Sequence, residues 1–290
     1  MAMESGRCHS HPGIADLGAI LVMPRAALCL LMLAVLAACD RKGDTGSAVT
    51  APGAPESGKT RVLEAGADAL QGKAPIAAIN TYLDGFHFYS DRQDAQMEAH
   101  HYCSILNDEL IQCLIFDGNG RDAKMMGIEY IISARLFASL PAQEKPLWHS
   151  HAYEVKSGQL VAPGVPEAAE KELMKKLVNS YGKTWHTWHT DLDKTLPLGV
   201  PQLMMGFTAD GQAQPAMVQE RNRRMQIDPE AKRRDRADIN AEEPSPEANG
   251  WLHGKAWQIQ DPTGNPHAHR QEDVYSKGSE PDRNARSPDR

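Results

Sequence analysis

Four histidines in two short clusters carry most of the chemical potential of this sequence: His100-His101, within Glu98-Ala99-His100-His101-Tyr102-Cys103, and His149-Ser150-His151. Imidazole ligates zinc and other transition metals through either ring nitrogen, and a His-x-His pair on an extended strand sends both rings to one side. Glu154 is the acid nearest the second cluster, so His100, His101, His149, His151 and Glu154 form the candidate ligand set, with His87 and Cys103 as further donors. The competing reading is that these histidines are satisfied by neighbouring carboxylates and backbone without any ion. Other chemistries lack support. There is no Gly-x-Ser-x-Gly elbow, phosphate-cradling loop or dinucleotide fingerprint. A formal net charge of −7 offers no basic footprint for nucleic acid.

The elements that must hold these residues are strands. Ala99–Leu106 and Leu110–Phe116 are apolar runs around the turn-forming Asn107-Asp108-Glu109, which predicts a hairpin. With Leu106 facing Leu110, Ile105 faces Ile111, Cys103 faces Cys113 and His101 faces Ile115. Strand alternation then puts both cysteines and His101 on one apolar face, with His100, Tyr102, Ser104 and Gln112 on the other; a one-residue slip would exchange the two histidines, so one of them is a core residue in either register. The two cysteines either form a cross-strand disulfide or pack as small apolar side chains. A second hairpin is expected with a strand from Trp148 to Val155 and a Ser157-Gly158 turn; it groups His149 with His151 and turns Glu154 away.

Elsewhere the periodicity predicts a helix over Arg61–Gln71 and one opened by Pro75 and closed by Gly85. Strands are expected at Phe86–Tyr89, Gly127–Ile132, Thr184–Thr190 and Gln202–Thr208. Further helices are expected at Ala134–Leu140 with Ser133 as cap, Glu167–Tyr181 and Pro215–Met225. Trp148, Trp185, Trp188, Met204 and Met205 are either core or the lining of an apolar pocket.

The N-terminus adds a targeting signal. Ala26–Ala38 is uncharged and apolar, follows Arg25, and ends Leu36-Ala37-Ala38-Cys39, the layout of a secretory signal peptide. The Leu-Ala-Ala-Cys ending resembles a bacterial lipobox, which implies acylation of Cys39 and attachment to a membrane on its periplasmic side. Asp40 resembles an inner-membrane retention signal. Translation starting at Met23 would give the better leader; an uncleaved anchor over Leu17–Ala38 is disfavoured by Pro24 and Arg25 inside it.

These readings give an α+β chain: a signal region over 1–38, a flexible tether over 39–60, a single domain of short antiparallel hairpins with packed helices over 61–227, and a disordered tail over 228–290.

Glu98-Ala99-His100-His101-Tyr102-Cys103, Leu147-Trp148-His149-Ser150-His151 and Pro197-Leu198-Gly199-Val200-Pro201-Gln202-Leu203-Met204-Met205, in that order, resemble the oil body-associated protein family, best known from plant seeds. The resemblance implies association with lipid droplets and carries no established catalytic activity, and it does not support His189 as a ligand. The stretch His149–Gly158 also weakly resembles a cupin metal motif, with its glutamate wrongly spaced. The leading expectation is a membrane-tethered lipoprotein whose domain binds lipid or works at a lipid surface without catalysis. The alternative is a metal-dependent enzyme, with zinc as a candidate ion, built on His100 or His101 with His149 and His151.

Overall fold

In a computed structural model of the chain, which describes residues 44–192, 194–255 and 257–259, the apolar strands close on one another. β1 (Thr81–Tyr89), β2 (Arg92–Asn107), β3 (Leu110–Phe116) and β4 (Met125–Ser133) form an antiparallel meander. β5 (His149–Ser150), β6 (Ser180–His186) and β7 (Gln202–Met205) follow. β7 pairs with β1, and β6 pairs with both β7 and β4, so six antiparallel strands complete a barrel and leave no free edge among them. β5 lies beside the start of β6, on the edge that β7 takes further along.

Closure explains why the interior holds so many polar groups without exposing them. Leu83, Tyr89, Met97, Ala99, Ile115, Ile131 and Met204 form one buried core. It continues into α4 (Ala152–Ser157) and α5 (Glu167–Leu177), through Val155, Met174 and Leu177. Outside the barrel, Phe86, Phe88, Leu203, Met205 and Phe207 pack beneath α6 (Pro215–Met225). A third cluster joins Ile132, Phe137 of α3 (Ala134–Ala138), Trp148 and Tyr181. Of the tryptophans and methionines singled out in the sequence, Met204, Met205 with Trp185, and Trp148 therefore divide among three separate cores.

The central hairpin has the expected register at Cys103↔Cys113 and His101↔Ile115; an irregularity at Leu106 pairs Asn107 with Leu110. A disulfide joins Cys103 to Cys113. Cys103 is therefore no thiolate donor. Closing a loop of this length removes denatured-state freedom worth about 2.7 kcal/mol. Replacing both cysteines by serine is expected to lower the urea midpoint accordingly; a midpoint equal to that of the oxidised parent overturns this.

Several expectations fail for identifiable reasons. The helix opened by Pro75 ends at Ala77, and Leu83 and Gly85 belong to β1, because barrel closure claims them. Residues 148–161 do not form a hairpin: His149–Ser150 is a two-residue strand, α4 follows, and Gly158 is the left-handed cap of that helix rather than a hairpin turn. α5 stops at Leu177 and gives Tyr181 to β6.

The flanks are more ordered than their composition implies. Within the expected tether, the Thr45 carbonyl accepts from Asn119 N and Gly120 N, Ser47 Oγ donates to Asp117, and Val49 is buried. Beyond Ile227, α7 (Pro229–Asp235) and the segment to Gln258 pack on the domain through the buried residues Arg236, Ile239, Ala248 and Asn249. The polar composition of this stretch misleads because its polar groups hydrogen-bond into the domain rather than to water. The signal region, Cys39 and residues 260–290 lie outside the described residues. No helix among the described residues is long and apolar enough to cross a membrane.

Candidate metal centre

Parity along the strands selects which histidines meet. His87 on β1, His101 on β2, Glu129 on β4 and His186 on β6 point into the barrel, and His149 joins them from β5 opposite Gly182. His151, the N-cap of α4, completes the group. None of the six is more than 4% exposed. Gly182 makes the hollow: a Cβ there would meet Glu129 Oε1 and stand 2.8 Å from His149 Nε2.

Glu129 is the centre. Its Oε2 lies 2.9 Å from His101 Nε2, and its Oε1 lies 3.3 Å from His151 Nε2 and 3.4 Å from His149 Nε2. His101 Nε2 is also 3.2 Å from His87 Nε2, and His87 Nδ1 is 3.2 Å from His186 Nε2. Burial opposes the charge on Glu129, but the three surrounding ring nitrogens outweigh it and hold the carboxyl well below its ordinary range. Burial likewise keeps His87 and His149 below the usual imidazole range, and it depresses His186 to about 3.

The tautomers of two rings follow from their outer partners. His101 Nδ1 lies 3.0 Å from the Ala99 carbonyl, which can only accept, so Nδ1 carries the proton. Ser180 Oγ donates to the Leu177 carbonyl and therefore accepts from His151 Nδ1, 2.8 Å away. In their neutral forms both rings aim an Nε2 lone pair at an ionised carboxylate. Such an arrangement is repulsive unless each ring takes a second proton or a cation sits between them.

Glu154 faces this centre, contrary to the strand reading. In helical geometry it falls one turn after His151, and a ligand atom from each of His149, His151 and Glu154 lies within 4.8 Å of the others. Its Oε2 has no hydrogen-bond partner among the described residues. Burial and the charge of Glu129 push its carboxyl well above the ordinary range, which leaves it protonated.

His100 does not belong to the set. It points outward, where its Nδ1 is 2.8 Å from Tyr82 Oη and 3.1 Å from Asp84 Oδ2. Asp84 and Glu98 there are already paired with Arg221 and Arg224 of α6. That cluster has its own cations and fastens the helix to the barrel. His189 is also apart, held by Tyr89 Oη and the Val200 carbonyl.

Of the residues now gathered, the sequence indicated His101, His149, His151 and Glu154 as ligands and His87 as an extra donor. It missed Glu129 and His186. The signal for Glu129 was present: one acid in the middle of the buried β-branched run Gly127–Ile132.

The family described as "Protein of unknown function (DUF1264)" matches residues 73–240. The chain is 42% identical over 219 residues to oil body-associated protein 1B of Arabidopsis thaliana, covering 75% of this chain and 91% of the relative. It is 48% identical over 164 residues to oil body-associated protein 1A of Zea mays, covering 57% and 69%. Oil body-associated protein 2A of Zea mays is 39% identical over 213 residues, covering 72% and 84%. No solved structure matches.

Proposed function

Starting from the fact that the chain belongs to the oil body-associated protein family, we propose that it is a lipid-anchored protein, tethered through acylated Cys39, whose barrel encloses a transition-metal ion at a lipid surface. The donors are Glu129, whose oxygens face the Nε2 atoms of His101, His149 and His151, together with His87 and Glu154, which the ligand-atom spacing groups with His149.

The observation that carries the metal is the tautomer pattern. His101 and His151 each donate Nδ1–H outward to a carbonyl or hydroxyl and turn Nε2 toward the same carboxylate, as metal-ligating histidines do. Two of the three Nε2-to-carboxylate separations agree as well: ligand atoms on a tetrahedral ion with bonds of about 2.0–2.1 Å stand about 3.3–3.4 Å apart. An all-nitrogen-and-oxygen set suits zinc, manganese, iron, nickel or copper rather than a thiophilic ion. The enclosed position restricts any reactant to a small molecule, which favours a structural or small-molecule role over chemistry on a lipid.

The lipid part has separate support, from the names of the relatives and from the Leu-Ala-Ala-Cys sequence. Elemental analysis of the full chain purified without a histidine tag tests the metal directly. About one ion per chain is expected, and Glu129→Gln should reduce occupancy at least about tenfold. Occupancy below about a tenth in the parent after incubation with each divalent ion, or occupancy unchanged in Glu129→Gln, overturns the metal reading.

A further inference from the structure

The docking of Thr45 fixes which side of the barrel an anchored chain turns toward the lipid. We infer that the apolar groove lined by Ile76, Ile79, Tyr102, Leu114 and Phe116 is the membrane-contacting surface and takes the end of a phospholipid acyl chain. This rests on the acylation of Cys39 proposed above.

The chain length is decisive. Thr45 is bound to the turn Gly118–Gly120 through Asn119 N, Gly120 N and the Asn119 side chain. Cys39 lies six residues earlier, so an extended backbone places its α-carbon at most about 20 Å from this turn. Gly118 and Gly120 themselves line the groove. A lipid on Cys39 therefore holds that rim against the bilayer, where a tether free up to residue 60 would allow any orientation.

The surface at this place has the character such contact requires. The groove has a volume of about 290 Å³, room for a chain end rather than a whole lipid. Its apolar lining runs on across the outer sheet face, since Leu114 of β3 pairs with the exposed Ile128 of β4 and Phe116 with the exposed Met125. Nothing in the barrel covers Ile76, which is 61% exposed. The preceding helix α1 (Gly58–Leu70) buries no residue, and its Val62, Leu63 and Leu70 are open to solvent. Charge at the described rim is close to balanced, with Asp44, Asp117 and Asp122 against Arg121 and Lys124. The contact is apolar, so it should survive salt.

The test uses the full acylated chain reconstituted into phosphatidylethanolamine/phosphatidylglycerol vesicles that carry nitroxide-labelled acyl chains. A fluorophore is placed on Ile76→Cys or, as the distant control, on Glu242→Cys, and the acyl mass on Cys39 is measured in the same preparation. Quenching at position 76 should exceed that at position 242 by at least about threefold and be unchanged in 0.5 M salt, where the Debye length is only about 4 Å. An acylated chain with equal quenching at both positions overturns the groove while leaving the anchor intact. A chain without acyl mass on Cys39 overturns both.

Discussion

Ending the chain at Ile227 is expected to abolish cooperative folding, although the removed part reads as a polar tail. Arg236 is fully buried, and its Nη1 donates to the Val155 and Leu160 carbonyls while its Nη2 reaches Glu170 Oε1. Lys232 pairs with the other oxygen of Glu170. From the domain side, Lys156 Nζ donates to the carbonyls of residues 236, 237 and 239. Truncation would leave the buried Glu170 without either cation, a loss of about 3–5 kcal/mol by itself. It would also take a donor from the Val155 and Leu160 carbonyls and the three carbonyl acceptors from Lys156, and uncover the wall against which Ile239 and Ala248 pack.

The same segment secures the metal-facing strand. Asn249 Oδ1 accepts from Ser150 N, and Asn249 N donates to the Trp148 carbonyl, which clamps the residues on both sides of His149. Taken together these losses match or exceed the whole stability of a typical domain, about 5–15 kcal/mol. The truncated chain should therefore accumulate insoluble or melt without a transition. Arg236→Met, which keeps the bulk and loses the donors, should remain folded with stability lower by about 3 kcal/mol. A truncated chain that melts cooperatively within a few degrees of the parent would refute the account. The family match extending to residue 240 fits it, because that boundary takes in α7 and Arg236.

Legibility differed by element for physical reasons. The β2–β3 hairpin was readable because its alternation is strict; that showed one of His100 and His101 to be a core residue, and the register observed in the barrel decides for His101. The α3, α5 and α6 starts were readable because capping residues and first-turn prolines and acids act locally. Barrel closure was not readable, since the β4–β6 pairing joins segments about fifty residues apart and leaves no mark in either. Residues 149–157 failed for another reason: His149 and His151 at alternate positions look like a strand, but the chain bends into α4 at His151 and brings Glu154 round to the histidines. The tail failed because composition measures polarity and says nothing of whether a donor meets a buried carbonyl. Of the centre itself, the ligand types were visible in the sequence, while Glu129, the atom pair around which they meet, depended on closure.

Dialysed against a chelator, the full chain is expected to unfold in acid, with its loss of stability starting as soon as the pH falls below about 6.5. His87, His149 and His186 titrate at lower pH in the folded state than in the unfolded chain, mainly because burial disfavours their charged forms. Below 6.5 the unfolded chain therefore binds protons that the folded chain refuses, and stability falls with falling pH. Each such ring contributes about 1.4 kcal/mol per pH unit until its folded value is reached, but the buried carboxyls of Glu154 and Glu98, raised above their unfolded value, oppose two of the three between pH 6.5 and 4.5, so the net loss there is about 1.4 kcal/mol per unit. His186, folded at about 3, keeps contributing nearly to that pH. Glu129 acts in the same direction further down: its carboxyl titrates below its unfolded value of 4.5, so its stabilisation is present above 4.5 and disappears as the pH drops beneath it. Below 4.5 the opposing carboxyls drop out and Glu129 joins the rings, so the slope steepens to about 5 kcal/mol per unit, and against a total of about 5–15 kcal/mol the unfolding midpoint lies at or below about pH 4. Circular dichroism along a pH titration measures it. His186→Leu, which deletes one of the three rings from the barrel, should nearly flatten the dependence above pH 4.5, reduce the slope below it by about a quarter, and move the midpoint to lower pH. Because ions bind the deprotonated ligands, a metal that stays on the folded chain should move the parent the same way, by an amount that grows with ion concentration. A metal-free chain whose stability fails to fall between about pH 4.5 and 3.5 would mean that these imidazoles are hydrated and protonated where they stand, and the enclosed centre would not exist.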